Sequence, residues 1–497
     1  MNLPFLEMHV KQRRGLCLDY NSLMKFLKQM VVGLLVLIPF GFTAVVPMSP
    51  LPLAIINASE SAREAAISGG TKSESKELQV ILTFAPWRGE LWQRLGRLQL
   101  DNHDYVGAVF SFSKAKTIGR LSIEGTLWMA DALISNGEPD QAKILLREVS
   151  NVNGVDPFIF LQTALLQRSI NDSFGAVATL LRAYALAPLN SEVNYQLGLQ
   201  LSVSEPDSAV MFLQNAARLD PSRKGVCDIL EAMIEKSKEI SSSAERYIYI
   251  GQVLSTFGEW DVAQRAFLTA TEVNPENATA WALLAEAAQQ NKRDGLQYLK
   301  LAQQLAPDAE IVNGLSALYY RRQGKSELAL IYLEKALNAN PNAAVWEVEI
   351  GNTLAEMGDL KAALEHFERA VKISPQDWSP VRALAHFSII YNYEIYTIGL
   401  PAARQALALN PGSPALMDLL GTGLMIAGDL DSAERFFLQA DKIDPNQTAI
   451  LIHLGQLYLA KGEKESAFRY LRQAAEFAKD SRLREMANRI LIENGGR

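Results

Sequence analysis

The chain has 497 residues, and its 48 Lys and Arg against 55 Asp and Glu leave a formal charge of −7. That length exceeds one compact core and suits several domains or one long array, while the mild acidity excludes the basic stripe of a nucleic-acid surface. Two distant cysteines, Cys17 and Cys227, exclude a disulfide framework or a CxxC metal knuckle. Ala, Leu, Glu and Gln are abundant and period-two alternation is scarce, so the expected fold class is all-α.

Residues 1–29 read as an N-terminal cytoplasmic tail. From Met30 to Met48 the sequence MVVGLLVLIPFGFTAVVPM carries no charge. As a helix it is about 28 Å long, close to the hydrocarbon thickness of a bilayer. Upstream stand Lys11, Arg13, Arg14, Lys25 and Lys28 against Glu7 and Asp19; downstream, Arg63 and Lys72 face Glu60, Glu64 and Glu74. The positive-inside bias places the tail in the cytoplasm and exports the rest, giving a single-pass cell-membrane protein. A cleaved signal peptide beginning at Met24 is the competing reading, and would make the protein secreted. No A-x-A site follows the apolar run, and Ile56-Asn57-Ala58 is a weak substitute. Arg13-Arg14 lies too far from the run for a twin-arginine signal. Residues 49–72, rich in small and polar side chains, read as a flexible linker.

Beyond the linker a fixed period governs the chain. One small position recurs at Gly96, Ala130, Ala164, Gly198, Gly251, Ala285, Ala317, Gly351, Gly421 and Gly455, mostly 34 residues apart, with Phe387 in one unit. A second recurs at Ala108, Ala142, Ala176, Ala209, Ala263, Gly295, Ala329, Ala363, Gly399, Ala433 and Ala467. Closing prolines, such as Pro275, Pro341, Pro375 and Pro445, keep the same beat. Within the unit ending at Pro375, Val348, Ile350, Gly351 and Leu354 form one helical stripe, and Ala363, Phe367, Ala370 and Val371 form another. Gly358 provides the turn between them. One such pair leaves apolar surface bare, and stacked neighbours cover it.

The pattern resembles the tetratricopeptide repeat. Trp92, Leu95, Gly96, Ala108, Phe112 and Ala115 match it in the first clear unit. Gly251, Ala263, Phe267, Ala270 and Pro275 match in the fifth, and Leu420, Gly421, Ala433, Phe437, Ala440 and Pro445 in the tenth. The resemblance implies an α-solenoid, a right-handed superhelix of about 11 helix pairs following the N-terminal transmembrane helix. Residues 73–221 form the first part of the array, 222–243 an inserted helix, 244–478 the second part and 479–497 a C-terminal capping helix. In the insert, Val226, Ile229, Leu230, Met233 and Ile234 stand at helical spacing, with Cys227 a buried apolar residue. The unit around Phe387 also brings Tyr391, Tyr393 and Tyr396 together, as core filling with a longer turn or as an aromatic patch; core filling is the reading adopted.

No catalytic constellation assembles. The five histidines are scattered, HExxH, GxSxG and P-loop motifs are missing, and the carboxylates fall on outward helix positions. The protein is therefore read as no enzyme, with no cofactor, metal or nucleic acid, and other proteins as partners. The resemblance implies a concave groove lined by the first helix of each pair, taking a peptide or partner helix. Carried over, its positions are Glu90, Gln93, Arg97 and Asp101 in one unit and Leu318, Arg321 and Arg322 in another. Val348, Asn352 and Glu356 follow in a third, and Asp418, Thr422 and Met425 in a fourth. Asn352 looks isolated from basic neighbours, which argues against a clamp for carboxylate tails. The resulting expectation is a bacterial-type, membrane-anchored scaffold or assembly factor. The alternatives are a regulatory subunit of an envelope polysaccharide or glycosyl-transfer enzyme, or a secreted adaptor.

Overall fold

The computed structural model describes residues 71–478 and 480–496. The expected Met30–Met48 span, the tail and most of the linker lie outside the described residues. Among the described residues all regular structure is helical, in 25 α-helices with one short 3-10 and one short π segment. No described helix is long and apolar enough to cross a membrane. The chain divides into two compact units, one through Leu197 and one from Gly198.

In the first unit α1 (Thr71–Phe84) precedes three helix hairpins. These are α2 (Gly89–Asp101) with α3 (Tyr105–Thr117), α4 (Ile123–Ser135) with α5 (Pro139–Asn151), and α6 (Pro157–Ser169) with α7 (Ser173–Leu186). Helix α8 (Ser191–Leu201) crosses the boundary, and in the second unit its Gly198 lies against Leu213 of α9 (Pro206–Leu219). The inserted segment is helical, α10 (Lys224–Lys238), with Cys227, Leu230, Met233 and Ile234 buried. Ile229, assigned to the same stripe from spacing, is 51% exposed instead.

Seven hairpins follow: α11 (Ser243–Thr256) with α12 (Trp260–Val273), α13 (Ala278–Gln290) with α14 (Leu296–Leu305), and α15 (Glu310–Arg322) with α16 (Ser326–Ala339). Next come α17 (Ala344–Glu356) with α18 (Leu360–Ile373), and α19 (Trp378–Ile390) with α20 (Leu400–Leu409). The last pairs are α21 (Pro414–Ile426) with α22 (Leu430–Ile443), and α23 (Thr448–Ala460) with α24 (Lys464–Phe477), before α25 (Ser481–Glu493) packs on the end.

The hairpin turn follows from two residue types. At Gly358 (φ 89°) and Gly428 (φ 87°) the chain leaves the first helix in the left-handed region, where a side chain is strained. The next residue then caps the second helix: Asp359 Oδ1 accepts from the Ala362 N–H at 3.1 Å, and Asp429 Oδ1 from Ser432 at 3.1 Å. Close packing between the two helices sets the small positions. A Cβ on Gly251 would meet Phe267 at 2.4 Å, and one on Gly421 would meet Phe437 at 2.7 Å.

The exceptional unit has a physical explanation. Phe112, Phe267, Phe367 and Phe437 each stand four residues after the second-helix alanine, but the equivalent residue here is Ala403. Bulk has moved from second helix to first, and Phe387 is only 2% exposed while Ala403 is fully buried. The added turn residues are absorbed by left-handed Asn392 and Glu394 and by the π segment Ile395–Gly399. Tyr393 packs on the core, whereas Tyr396 is 68% exposed, so core filling accounts for only part of the tyrosine cluster.

Candidate functional site

The groove positions assigned from sequence fall on first helices α2, α15, α17 and α21, and many are committed to neighbouring hairpins. On α2, the Gln93 side chain accepts from the Ser122 backbone N–H at 2.8 Å and donates to the Ser122 hydroxyl at 3.1 Å. It thereby holds the residue that caps α4. Arg97 pairs with Asp101 at 3.1 Å and lays its guanidinium 4.9 Å from the centre of the Trp128 ring. Clefts open on both sides of this stack. One, about 350 Å³, includes exposed Glu90; the other, about 440 Å³, runs between α2, α4 and α6 and includes Asp131 and Phe158.

In the second unit, ion pairs cross-link successive first helices. Arg322 of α15 holds Glu286 of α13 in a fork, Nη1 and Nη2 each donating at 2.7 Å. Arg321 pairs with Glu349 of α17 and lies 3.9 Å from Glu356. Leu318 is half-buried against the core rather than open to a ligand. Further on, His453 Nδ1 of α23 lies 2.7 Å from the Asp418 carboxylate, and the Thr422 hydroxyl donates to the Asp418 carbonyl at 2.9 Å. Met425 packs half-buried against a separate core formed by the later hairpins.

Val348 and Asn352 line a cleft of about 370 Å³ between α17 and α19. Arg382 and His386 line it too, so Asn352 does not stand without basic neighbours, as chain order had suggested. The two lie four residues apart on one helix face; the signal was present, but on the following unit. Burial, with Arg382 beside it, lowers the His386 pKa from its usual value. Among the described residues Arg382 forms no ion pair, and the cleft therefore offers an amide, an imidazole and an available guanidinium.

The expectation that carboxylates face outward fails at four places among the described residues. Glu74, Asp172, Glu286 and Glu347 are buried, paired respectively with Arg94, with Lys143 at 3.5 Å, with Arg322, and with His366 at 2.6 Å. Nothing local in the sequence marks these, because each partner lies roughly half a repeat to a full repeat away. Among the described residues no three His, Cys, Asp or Glu gather as a metal-ligand set.

Two tetratricopeptide-repeat family models match the chain, one over residues 250–310 and 315–377, the other over residues 424–490. Among curated proteins, the BBSome complex member BBS4 of Bos taurus is 28% identical over 158 residues, covering 32% of this chain and 30% of that protein. The protein O-mannosyl-transferase TMTC1 of Homo sapiens is 27% identical over 192 residues, covering 38% of this chain and 21% of that protein. The chain thus spans less than a third of the length of the curated relatives it matches. Similar solved chains include one from the APC/C hetero-tetramer Cut9–Hcn1, at 13% identity and TM-score 0.43, covering 88% of this chain and 99% of that one. Yeast Tom70 is 14% identical with TM-score 0.42, covering 89% and 95%. The fixed period, the hairpin chemistry and the matching models lead to one conclusion: the chain is a tetratricopeptide-repeat protein.

Proposed function

We propose that the protein is a non-catalytic interaction scaffold or assembly factor, presenting the first-helix face of its hairpins to a peptide or helix of a partner protein. The observation that carries this reading is the recurrence of clefts of about 350–440 Å³ along that face. Each spans neighbouring first helices, and each combines apolar wall with a few polar groups, as peptide grooves do. Tetratricopeptide-repeat proteins in general mediate assembly. The curated relative BBS4 is by its name a complex member. In this reading Met30–Met48 holds the chain in a cell membrane of bacterial type, with the array exported. The uncharged run and the upstream basic residues support it.

Cross-linking and recovery of partners from membranes bearing the full chain test the scaffold: defined polypeptides should be captured, and capture of none would sink it. Alkaline extraction tests the anchor, since a protein washed into the supernatant is not held by a span. A second reading, a regulatory subunit of a glycosyl-transfer enzyme, is favoured by the similarity to TMTC1, named as an O-mannosyl-transferase. A single enzyme partner whose turnover changes on binding would select it.

A further inference from the structure

We infer that the cleft between α2, α4 and α6 takes a Lys or Arg side chain from a partner polypeptide, seated on Asp131 with its aliphatic stem against Phe158. The inference rests on the scaffold reading above and adds the chemistry of the occupant.

Charge decides which occupant fits. Arg97 is the one cation among the residues lining the cleft, and it is already held by Asp101 and the Trp128 face. Asp131 and Glu124 therefore remain without a matched positive charge. Among the described residues Asp131 accepts no hydrogen bond, although its surroundings are largely apolar: Leu127, Ile159 and Phe158 share the cleft. Burial raises the Asp131 pKa, Arg97 opposes the shift and Asp101 adds to it. A carboxylate removed from water without donors is costly. A neutral apolar occupant would deepen that cost and an acidic one would add repulsion, while an ammonium or guanidinium supplies charge-assisted donors. Phe158 is 62% exposed, large for an apolar side chain on a groove face. Its ring suits the methylene stem of a long cationic residue and the cation itself.

The test uses the full chain, purified in detergent, and a phage library of random dodecapeptides, with the Asp131→Asn protein as counter-selection. Peptides retained by the wild type and lost on the variant should share a Lys or Arg beside an aliphatic residue. In a synthetic peptide of that sequence, acetylating the Lys, or replacing an Arg by citrulline, should weaken binding about tenfold or more, equivalent to roughly 1.4 kcal/mol. Asp131→Asn should weaken it similarly, and the two changes together no further.

Affinity should also fall with pH as Asp131 takes up its proton, because only the ionised form pairs with the cation. Arg97 and Asp101 from α2 and Glu124 from α4 are the other charges facing it. The Asp131→Asn protein should lack this Asp131-linked component. Peptides retained equally by both proteins, a shared motif without a basic residue, or additive effects of the two changes would each overturn the inference while leaving the scaffold reading in place. Selection of no peptide by either protein would overturn both. Should Asp131→Asn fail to fold by circular dichroism, the exposed Phe158→Ser substitution replaces it in the cycle, and unchanged affinity there is equally fatal.

Discussion

At the second small position of the repeat, nine alanines, among them Ala108, Ala263, Ala363 and Ala467, have no accessible surface. Such a position cannot grow, and the facing glycines are as constrained. Gly251→Ala puts a Cβ 2.4 Å from the Phe267 ring and should cost about 1–3 kcal/mol as overpacking, read as a lowered thermal midpoint. The left-handed turn residue gives the opposite sign. Lys292 adopts φ 59° where six other hairpins, among them those turning at Gly358 and Gly428, use glycine, so Lys292→Gly should stabilise by about 1 kcal/mol through relief of that strain. A lowered midpoint there would show that the lysine side chain contributes more than its backbone costs. These positions were legible in the sequence because they repeat. Asp131 and His386 were not, because their environments are assembled from helices a repeat apart.

Hairpins are units of compensation as well as of repetition. In the exceptional unit the large residue sits on the first helix and the small one on the second, inverting Gly251 with Phe267 and Gly421 with Phe437. Phe387→Gly alone should open a cavity costing roughly 3–5 kcal/mol. Adding Ala403→Phe should recover part of the loss, a coupling that a double-mutant cycle measures. Additive effects would mean that the two residues do not share a space. The helices and their turns could be read from periodicity and Gly-Asp pairs. This exchange could not, since the repeat pattern records which residue departs and not where its volume goes.

Between hairpins the joints are electrostatic as well as apolar. Glu434 of α22 accepts from Lys461, the residue that follows α23, at 2.5 Å, and from the Tyr458 hydroxyl of α23 at 2.6 Å. The Lys461 hydrogen bond, then that of Tyr458, hold the Glu434 pKa below its usual value. A carboxylate whose native pKa is depressed contributes stability above the unfolded-state value, about 4.3, and loses it as pH falls through the native one. The stability gap between wild type and Glu434→Gln should therefore be full at neutral pH and shrink below about pH 4.3. A gap that is constant with pH would assign the effect to packing instead.

At the scale of the molecule, an array held by neighbour contacts stores its stability locally. Leu146 of α5 is fully buried in the first unit, whereas α23 and α24 belong to the second. Leu146→Ala should cost about 2–5 kcal/mol, and a loss of that size accelerates amide exchange about thirtyfold or more wherever exchange requires the affected helices to open. In α4 through α7 that acceleration should be visible, while amides of α23 and α24 keep their wild-type rates. Exchange that quickens equally in both units would mean that the two open together, with cooperativity extending beyond nearest neighbours. Rates unchanged in both would mean that the amides around Leu146 exchange by fluctuations too small to expose its side chain. Only the graded outcome fits a chain whose apolar faces are sheltered chiefly by the hairpins beside them.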